Sequence, residues 1–385
     1  MRIWWMMTLG ALAIAGGREP AARPAGGQEP AARPAGGQEP AAPSPLEDRL
    51  SALRDANHLP AIAAVTFRSS GPVARAAVGV RRAGDDTAVT LDDLWHIGSV
   101  TKSFTSALVA RLVERGDLAW TTTLGELAGA SRAGAYAPVT VAQLLAHRAG
   151  LPANVPQVTA VAIVRSGEPV SAQRQRIVDL AFQAPPNGAP GEVYLYSNVG
   201  YIVMGALLET RTGQSWESLV RAEVLEPLGL SSAGFGPPGE AGVLTQPRGH
   251  RAGAGGVLTP VEPGPGADNP AYLGPAGTLH MTIDDLARWG QRHLAGERGE
   301  DTPWLRAATL RRLHELPPGG DYALGWVVRR AGGRRIVWHN GSNTMWYAVV
   351  AFDPDADTGV AIATNGSIGA QAAIDAALPA LLDAR

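Results

Sequence analysis

At 385 residues and a formal net charge of −2, the chain is long enough to bury one large core or two, and it carries no block of like charge with which to hold nucleic acid or another polyanion. The absence of cysteine excludes disulfides and thiolate chemistry. Its eight histidines fall in no metal-ligand spacing, so neither a metal nor a cofactor is expected.

Met1 and Arg2 precede an apolar run, IWWMMTLGALAIA, over residues 3–15. That run is too short to span a bilayer and has the length of a signal-peptide core, with Ala11, Ala13 and Ala15 as the small residues a signal peptidase needs. Residues 1–15 are therefore expected to export the chain to the periplasm or beyond. The alternative is an uncleaved anchor that tethers it to the membrane. From Ala15 to Ser44 a decapeptide repeats, AGGREPAARP then AGGQEPAARP then AGGQEPAAPS, and it fills the segment 16–45. With almost no large apolar side chain, this stretch cannot offset the entropy cost of ordering, and it reads as a disordered Pro/Gly/Ala tether.

A folded domain is expected over residues 46–385. Residues 46–56 read as an amphipathic helix, and 61–69 and 73–80 as two strands joined by a Gly71-Pro72 turn. After Trp95-His96-Ile97-Gly98 comes a central helix over 99–115, with Phe104, Leu108, Leu112 and Val113 as its buried stripe and Gly116 as its stop. From there to residue 316 the pattern is helix and loop. Helices are expected over 141–147, 200–212 (closed by Gly213) and 216–224, and Thr282 with Asp285 makes a capping signature. Strands return over 322–330, 334–338, 346–352 and 359–363, and a helix over 370–382 closes the pattern. Strands at both ends with helices between them give a mixed α/β fold of the α+β kind: one antiparallel sheet built from both chain ends, flanked by helices and interrupted by a mainly helical insertion.

The chemistry centres on one amine. All but one of the 33 basic residues are arginine, and the exception is Lys102. Arginine is not deprotonated in a protein, whereas burial and neighbouring charge can tune a lysine into a neutral base. Ser99 stands three residues earlier, on the same helical face. A hydroxyl beside a tunable amine is one way to make an activated nucleophile.

Two further motifs follow. Tyr196-Ser197-Asn198 lies in PGEVYLYSNVGY, a loop entering a helix, and His339-Asn340-Gly341-Ser342 follows the apolar strand IVW. Each alone is ordinary: a tyrosine in such a loop usually anchors packing, and a histidine at a strand end is usually a polar cap. His96, His147 and His280 read as core histidines.

Taken together and in this order, the motifs resemble the Ser-x-x-Lys, Tyr-x-Asn and Lys/His-x-Gly set of the serine β-lactamase/penicillin-binding superfamily, in its class C and esterase-like branch. The flanks SVTKSFTSALVARLVERGDL, QLLAHRAGLP, PGEVYLYSNVGYIVMGALLE, VLEPLGLSSAGF and GPAGTLHMTIDDLARW carry the same likeness, which runs over residues 46–382. The resemblance implies that Ser99 attacks an acyl carbonyl to form an acyl-enzyme. Lys102, kept neutral by burial and the helix N-terminus, would take or share the serine proton, and Tyr196 would act as general acid/base. Asn198 would orient Lys102 or the substrate amide. The backbone N–H groups of Ser99 and Ser342 would form an oxyanion hole, with Gly341 letting the substrate approach the strand edge.

His339 stands where many penicillin-recognising members have lysine, so a fixed cation for a substrate carboxylate is missing. That favours esterase or peptidase members over a true β-lactamase. The expected activity is therefore a serine hydrolase acting on an ester or amide of a small molecule or peptide. A D-alanyl-D-alanine carboxypeptidase and a class C-type β-lactamase are the alternatives among enzymes. A non-turnover sensor or binding module is the alternative outside them, and the three intact motifs argue against it.

Overall fold

The computed structural model describes residues 44–253, 256–331, 333–367 and 369–383. The apolar run and nearly all of the repeat expected over residues 1–45 lie outside the described residues. Ser44 and Pro45, placed at the end of that tether, belong instead to the first helix, Pro45–Ala56. Ser44 caps it, its Oγ accepting from the Glu47 N–H at 3.2 Å, and Pro45 sits where a missing N–H is harmless.

Strands β1 (Ala61–Arg68) and β2 (Gly71–Gly79) form a hairpin, with its turn at Ser69-Ser70 and not at the expected Gly71-Pro72. Pro72 stands inside β2, an edge strand, where the absent donor is tolerated. Between this hairpin and the C-terminal strands the chain forms β3 (Leu94–His96), β4 (Gly234–Phe235), β5 (Gly249–Ala252), β6 (Leu258–Val261) and β7 (Leu279–Thr282). The last four, β4 to β7, lie where helix and loop were expected from residue 116 onward. Strands of two to four residues are too short to show an alternating pattern, which is why the sequence does not reveal them.

The last strands are β8 (Val327–Ala331), β9 (Arg334–Ser342), β10 (Tyr347–Asp353) and β11 (Thr358–Thr364). With β1 and β2 they make one six-stranded antiparallel sheet in the order β2-β1-β11-β10-β9-β8. The two ends of the domain thus meet at its centre, Ile62 opposite Thr364.

The inner strands are apolar on both faces because both faces are covered. Ala61, Ala63, Val65 and Phe67 point into the large core, whereas Ile62 and Ala64 point under the first helix and the last, Ala370–Leu382. In β10, Ala348, Val350 and Phe352 share the first face, and Val349 and Ala351 the second.

The helix Ile283–Glu297, capped by Thr282 as expected, lies on the large-core face and carries Trp289 into that core. The central helix begins as a 3-10 turn, Gly98–Val100, and becomes α over Thr101–Glu114. It is buried on every side from Thr101 to Ala110 and not along one stripe, while Val113 is half-buried. Its hydroxyls are satisfied inside the core: Ser103 donates to the Val100 carbonyl and Thr105 to that of Pro275, both at 2.7 Å.

Candidate active site

The turn carrying Ser99 is set by two backbone N–H groups that precede it. Ile97 N–H donates to the Leu279 carbonyl at 2.9 Å, and Gly98 N–H donates to His96 Nδ1 at 3.1 Å. Gly98 has φ +50°, a left-handed conformation suited to glycine. Ser99 is part-exposed between two buried neighbours, so its hydroxyl faces outward at the start of the helix.

Lys102 is fully buried, and its Nζ lies 3.0 Å from Ser99 Oγ and 2.7 Å from the Ala276 carbonyl. Desolvation drives the amine well below the ordinary lysine range. Its Nζ donates to the Ala276 carbonyl and to Ser99 Oγ, and loss of one proton would leave a lone pair able to accept from the serine hydroxyl.

The Ala276 carbonyl belongs to the short helix Gly274–Gly277. The backbone leading into it is gripped by fully buried Arg174, which donates to the Tyr272 and Ala271 carbonyls at 3.1 and 3.0 Å while pairing with Glu209 and Glu217.

The Tyr196 ring lies 4.9 Å from Lys102 Nζ. Burial raises its phenol above the ordinary tyrosine range, and the Ser99 hydroxyl opposes part of that rise. Behind it, His147 packs its ring 4.3 Å from that of Tyr196 and accepts from the Ser197 N–H at Nδ1, 3.1 Å away. The His147 proton is therefore on Nε2, a buried atom without a hydrogen-bond partner. Ser197 caps the helix Asn198–Thr212, its Oγ accepting from Gly200 N–H at 2.9 Å. Asn198 turns its side-chain amide toward Asn154 Oδ1 at 2.7 Å, and the Lys102 nitrogen takes its bonds from Ser99 and Ala276 instead.

His339 is 2% exposed and lies within β9, which runs past the end expected at residue 338 to Ser342 because Asn340, Gly341 and Ser342 keep pairing with β10. Its Nδ1–H donates to the Asn340 carbonyl at 2.6 Å, which leaves Nε2 to accept from the Tyr322 hydroxyl at 2.9 Å. Burial above all pushes it down to about 3, so the imidazole is neutral near pH 7.

Beyond it, Gly341 meets the turn that carries Ser99. A Cβ on Gly341 would fall on the Ile97 carbonyl and the Ser99 nitrogen, and one on Gly98 would fall on the Ser342 nitrogen. The two glycines thus let two backbones touch and bring the Ser99 and Ser342 amides to one place.

Three groups of this site were not singled out from the sequence. The Ala276 carbonyl has no residue-type signal. Tyr322 was expected inside a strand over 322–330, but that strand begins at Val327, and the turn before it frees Tyr322 to reach His339. His147, read as structural, supports Ser197 by its Nδ1, and its ring also borders Tyr196. Among the described residues no cluster of His, Asp and Glu is arranged to hold a metal ion.

A family model described as Beta-lactamase matches residues 46–384. The chain is 29% identical over 336 residues to penicillin-binding protein 4 of Amycolatopsis lactamdurans, covering 84% of this chain and 85% of that protein. It is 24% identical over 306 residues to the D-alanyl-D-alanine-carboxypeptidase/endopeptidase AmpH of Escherichia coli K12, covering 75% of each. Among solved structures, the octameric penicillin-binding protein homologue of Pyrococcus abyssi superposes with a TM-score of 0.71 at 24% identity, covering 87% of this chain and 76% of that one.

Proposed function

The chain belongs to the beta-lactamase family of serine hydrolases, and on that premise we propose that it hydrolyses an uncharged ester or amide through an acyl-enzyme on Ser99. The observation that carries this is the sole lysine of the chain, fully buried, its amine pushed well below the ordinary lysine range by desolvation and standing 3.0 Å from the serine oxygen.

In the first half-reaction Lys102 Nζ takes the Ser99 proton as Oγ bonds to the acyl carbon. The carbonyl oxygen gains the negative charge, and the Ser99 and Ser342 amides are its donors. Collapse of that intermediate breaks the bond to the leaving group, which takes a proton delivered from Lys102 through Tyr196. The Tyr196–Lys102 pair then takes a proton from water as the water attacks the ester, and Ser99 recovers its proton when the acid leaves. Asn198, bonded to Asn154, would orient the substrate amide, and Gly341 would let the substrate approach the strand edge.

The neutral His339 offers no permanent cation for a substrate carboxylate, which supports ester or neutral amide over a carboxylate-bearing β-lactam. A peptide substrate is the second reading, and it is favoured by the carboxypeptidase/endopeptidase named among the relatives. Turnover of a short-chain nitrophenyl ester, a D-Ala-D-Ala peptide and a chromogenic cephalosporin separates these readings. Ser99→Ala should fold and resist a fluorophosphonate probe, and labelling at the wild-type rate would refute the serine assignment.

Export belongs to the same proposal. Its support is the apolar run over residues 3–15 and the repeat over 16–45, ahead of a domain over 46–385. Among the described residues no helix is long and apolar enough to cross a membrane. N-terminal sequencing of protein from the exported fraction distinguishes a cleaved signal from an anchor that tethers the domain to the membrane.

A further inference from the structure

Behind the proposed nucleophile, one dipeptide in the inserted region reaches the neighbours of Ser99, Ser342 and the Ala276 carbonyl. Asp268 Oδ1 accepts from Asn343 Nδ2 at 3.0 Å and from the Asn269 N–H at 2.6 Å. His96 Nε2 stands 2.8 Å from the same oxygen, at an angle poor for a linear hydrogen bond. His96 is fully buried, and because its Nδ1 accepts from Gly98 N–H, its ring proton is on the nitrogen facing the carboxylate. That histidine therefore links Asp268 to the residue before Ser99.

Asn343 links Asp268 to the other oxyanion amide. It follows Ser342, is 5% exposed, and its Oδ1 accepts from the Met345 and Trp346 N–H groups, both at 3.2 Å. Asn269 supplies the third link: its Nδ2 donates to the Gly277 carbonyl at 2.8 Å, one residue beyond the Ala276 carbonyl that holds Lys102.

We infer that Asp268 and Asn269 are positioning residues for acyl transfer, a clamp that fixes the two oxyanion amides and the carbonyl ligand of Lys102 relative to one another. The clamp rests on the reading of Ser99 as the nucleophile. Three elements far apart in sequence, which also meet through the core, are tied here by polar side chains, and all three carry groups of the proposed machinery. The second Asp268 oxygen is buried without a partner. A buried carboxylate left half-satisfied destabilises a fold, and such groups concentrate where geometry at a site matters more than stability.

The test compares Asp268→Ala, Asp268→Asn and Asn343→Asp with wild type, using a short-chain nitrophenyl ester. Two quantities are read: the single-turnover acylation rate at saturation, and the infrared carbonyl stretch of the trapped acyl-enzyme. Asp268→Ala removes the shared acceptor and should slow acylation by about 10²-fold, the cost of misplacing a reacting group by about an ångström, with KM changed little. Its acyl carbonyl should move to higher wavenumber as the oxyanion hydrogen bonds weaken, a readout that a purely structural defect would leave alone.

Asp268→Asn keeps an oxygen at the shared position and should recover most of the rate. Asn343→Asp keeps its own turn bonds but sets a carboxylate against Asp268, so it should reproduce the slow rate and the shifted stretch. It carries the test if Asp268→Ala does not fold. Folded Asp268→Ala or Asn343→Asp protein with wild-type acylation and an unshifted stretch overturns the clamp alone. A wild type that is never acylated on Ser99 overturns both the clamp and the reading beneath it.

Discussion

Lys102 reaches Ser99 Oγ from inside the core, and its other close partner is a backbone carbonyl, Ala276, and not a carboxylate. A carboxylate there would hold the ammonium charged; a carbonyl with complete burial favours the free amine. Arginine cannot supply that state, since its pKa lies above about 12. Lys102→Arg should therefore fold and lose acylation by about 10²–10⁴-fold, the usual worth of a general base.

The same lowered lysine pKa sets the pH profile. The base is competent in its deprotonated form, so acylation should rise with pH through an apparent value below about 10.4 and level off above it. That value belongs to the Lys102–Tyr196 pair and not to one residue. Single-turnover rates across roughly pH 5 to 10 measure it, and a flat profile would remove Lys102 from the base role.

Gly341→Ala probes the contact between β9 and the nucleophile turn. The added methyl would press on the Ile97 carbonyl and the Ser99 nitrogen, both backbone atoms that cannot swing aside. Acylation should fall by about 10²-fold or more as the two oxyanion amides separate. Thermal denaturation should show a further loss of about 1–3 kcal/mol, the usual cost of overpacking.

His339, held near 3, should contribute no inflection to the rate between pH 5 and 8. His339→Lys should raise kcat/KM for a carboxylate-bearing substrate relative to a neutral ester by about 10-fold, the lower end of what a charge-assisted hydrogen bond supplies. An unchanged ratio in the variant would show that this position does not select charge.

Away from the site, Glu297 accepts from His314 Nδ1 at 2.8 Å and from Arg335 at 2.9 Å, with its side chain 8% exposed. Burial alone would raise its carboxyl, but these partners outweigh it and lower the group from 4.5 to about 2. A carboxyl depressed by folding adds stability above its unfolded value, and that contribution is lost as pH falls through the folded value. Glu297→Gln should therefore cost up to about 3 kcal/mol at pH 7 and progressively less below about pH 4. Urea denaturation at both pH values checks it.

Much of the fold was legible because long elements advertise themselves. β1, β10 and β11 are near-continuous apolar runs bounded by turn residues, and the helix Ile283–Glu297 announces its start at Thr282. The motif residues Ser99, Lys102 and Tyr196 were legible as residue types that can carry acyl transfer. What escaped were groups that act through backbone or through distance. Ala276 contributes only a carbonyl, which every residue has. Asp268 and Asn269 lie in a Pro/Gly-rich loop with no periodicity, and their partners, His96 and Asn343, are brought to them by the fold alone. Tyr322 has strong β propensity, and a turn that closes Ala323 N–H on the Trp326 carbonyl at 2.7 Å overrides it.

The pairing of β1 with β11 sets the order in which the molecule can assemble. The β1–β2 hairpin is made early in synthesis, yet the strand that covers its inner edge emerges only after the whole helical insertion and three further strands. Until then the unpaired N–H and C=O groups of β1, flanked by Ile62, Val65 and Phe67, form an apolar edge open to other chains. Closing so long a loop is entropically slow. Refolding is therefore expected to be paced by the arrival of β11, and intermediates lacking it are the species most prone to aggregate.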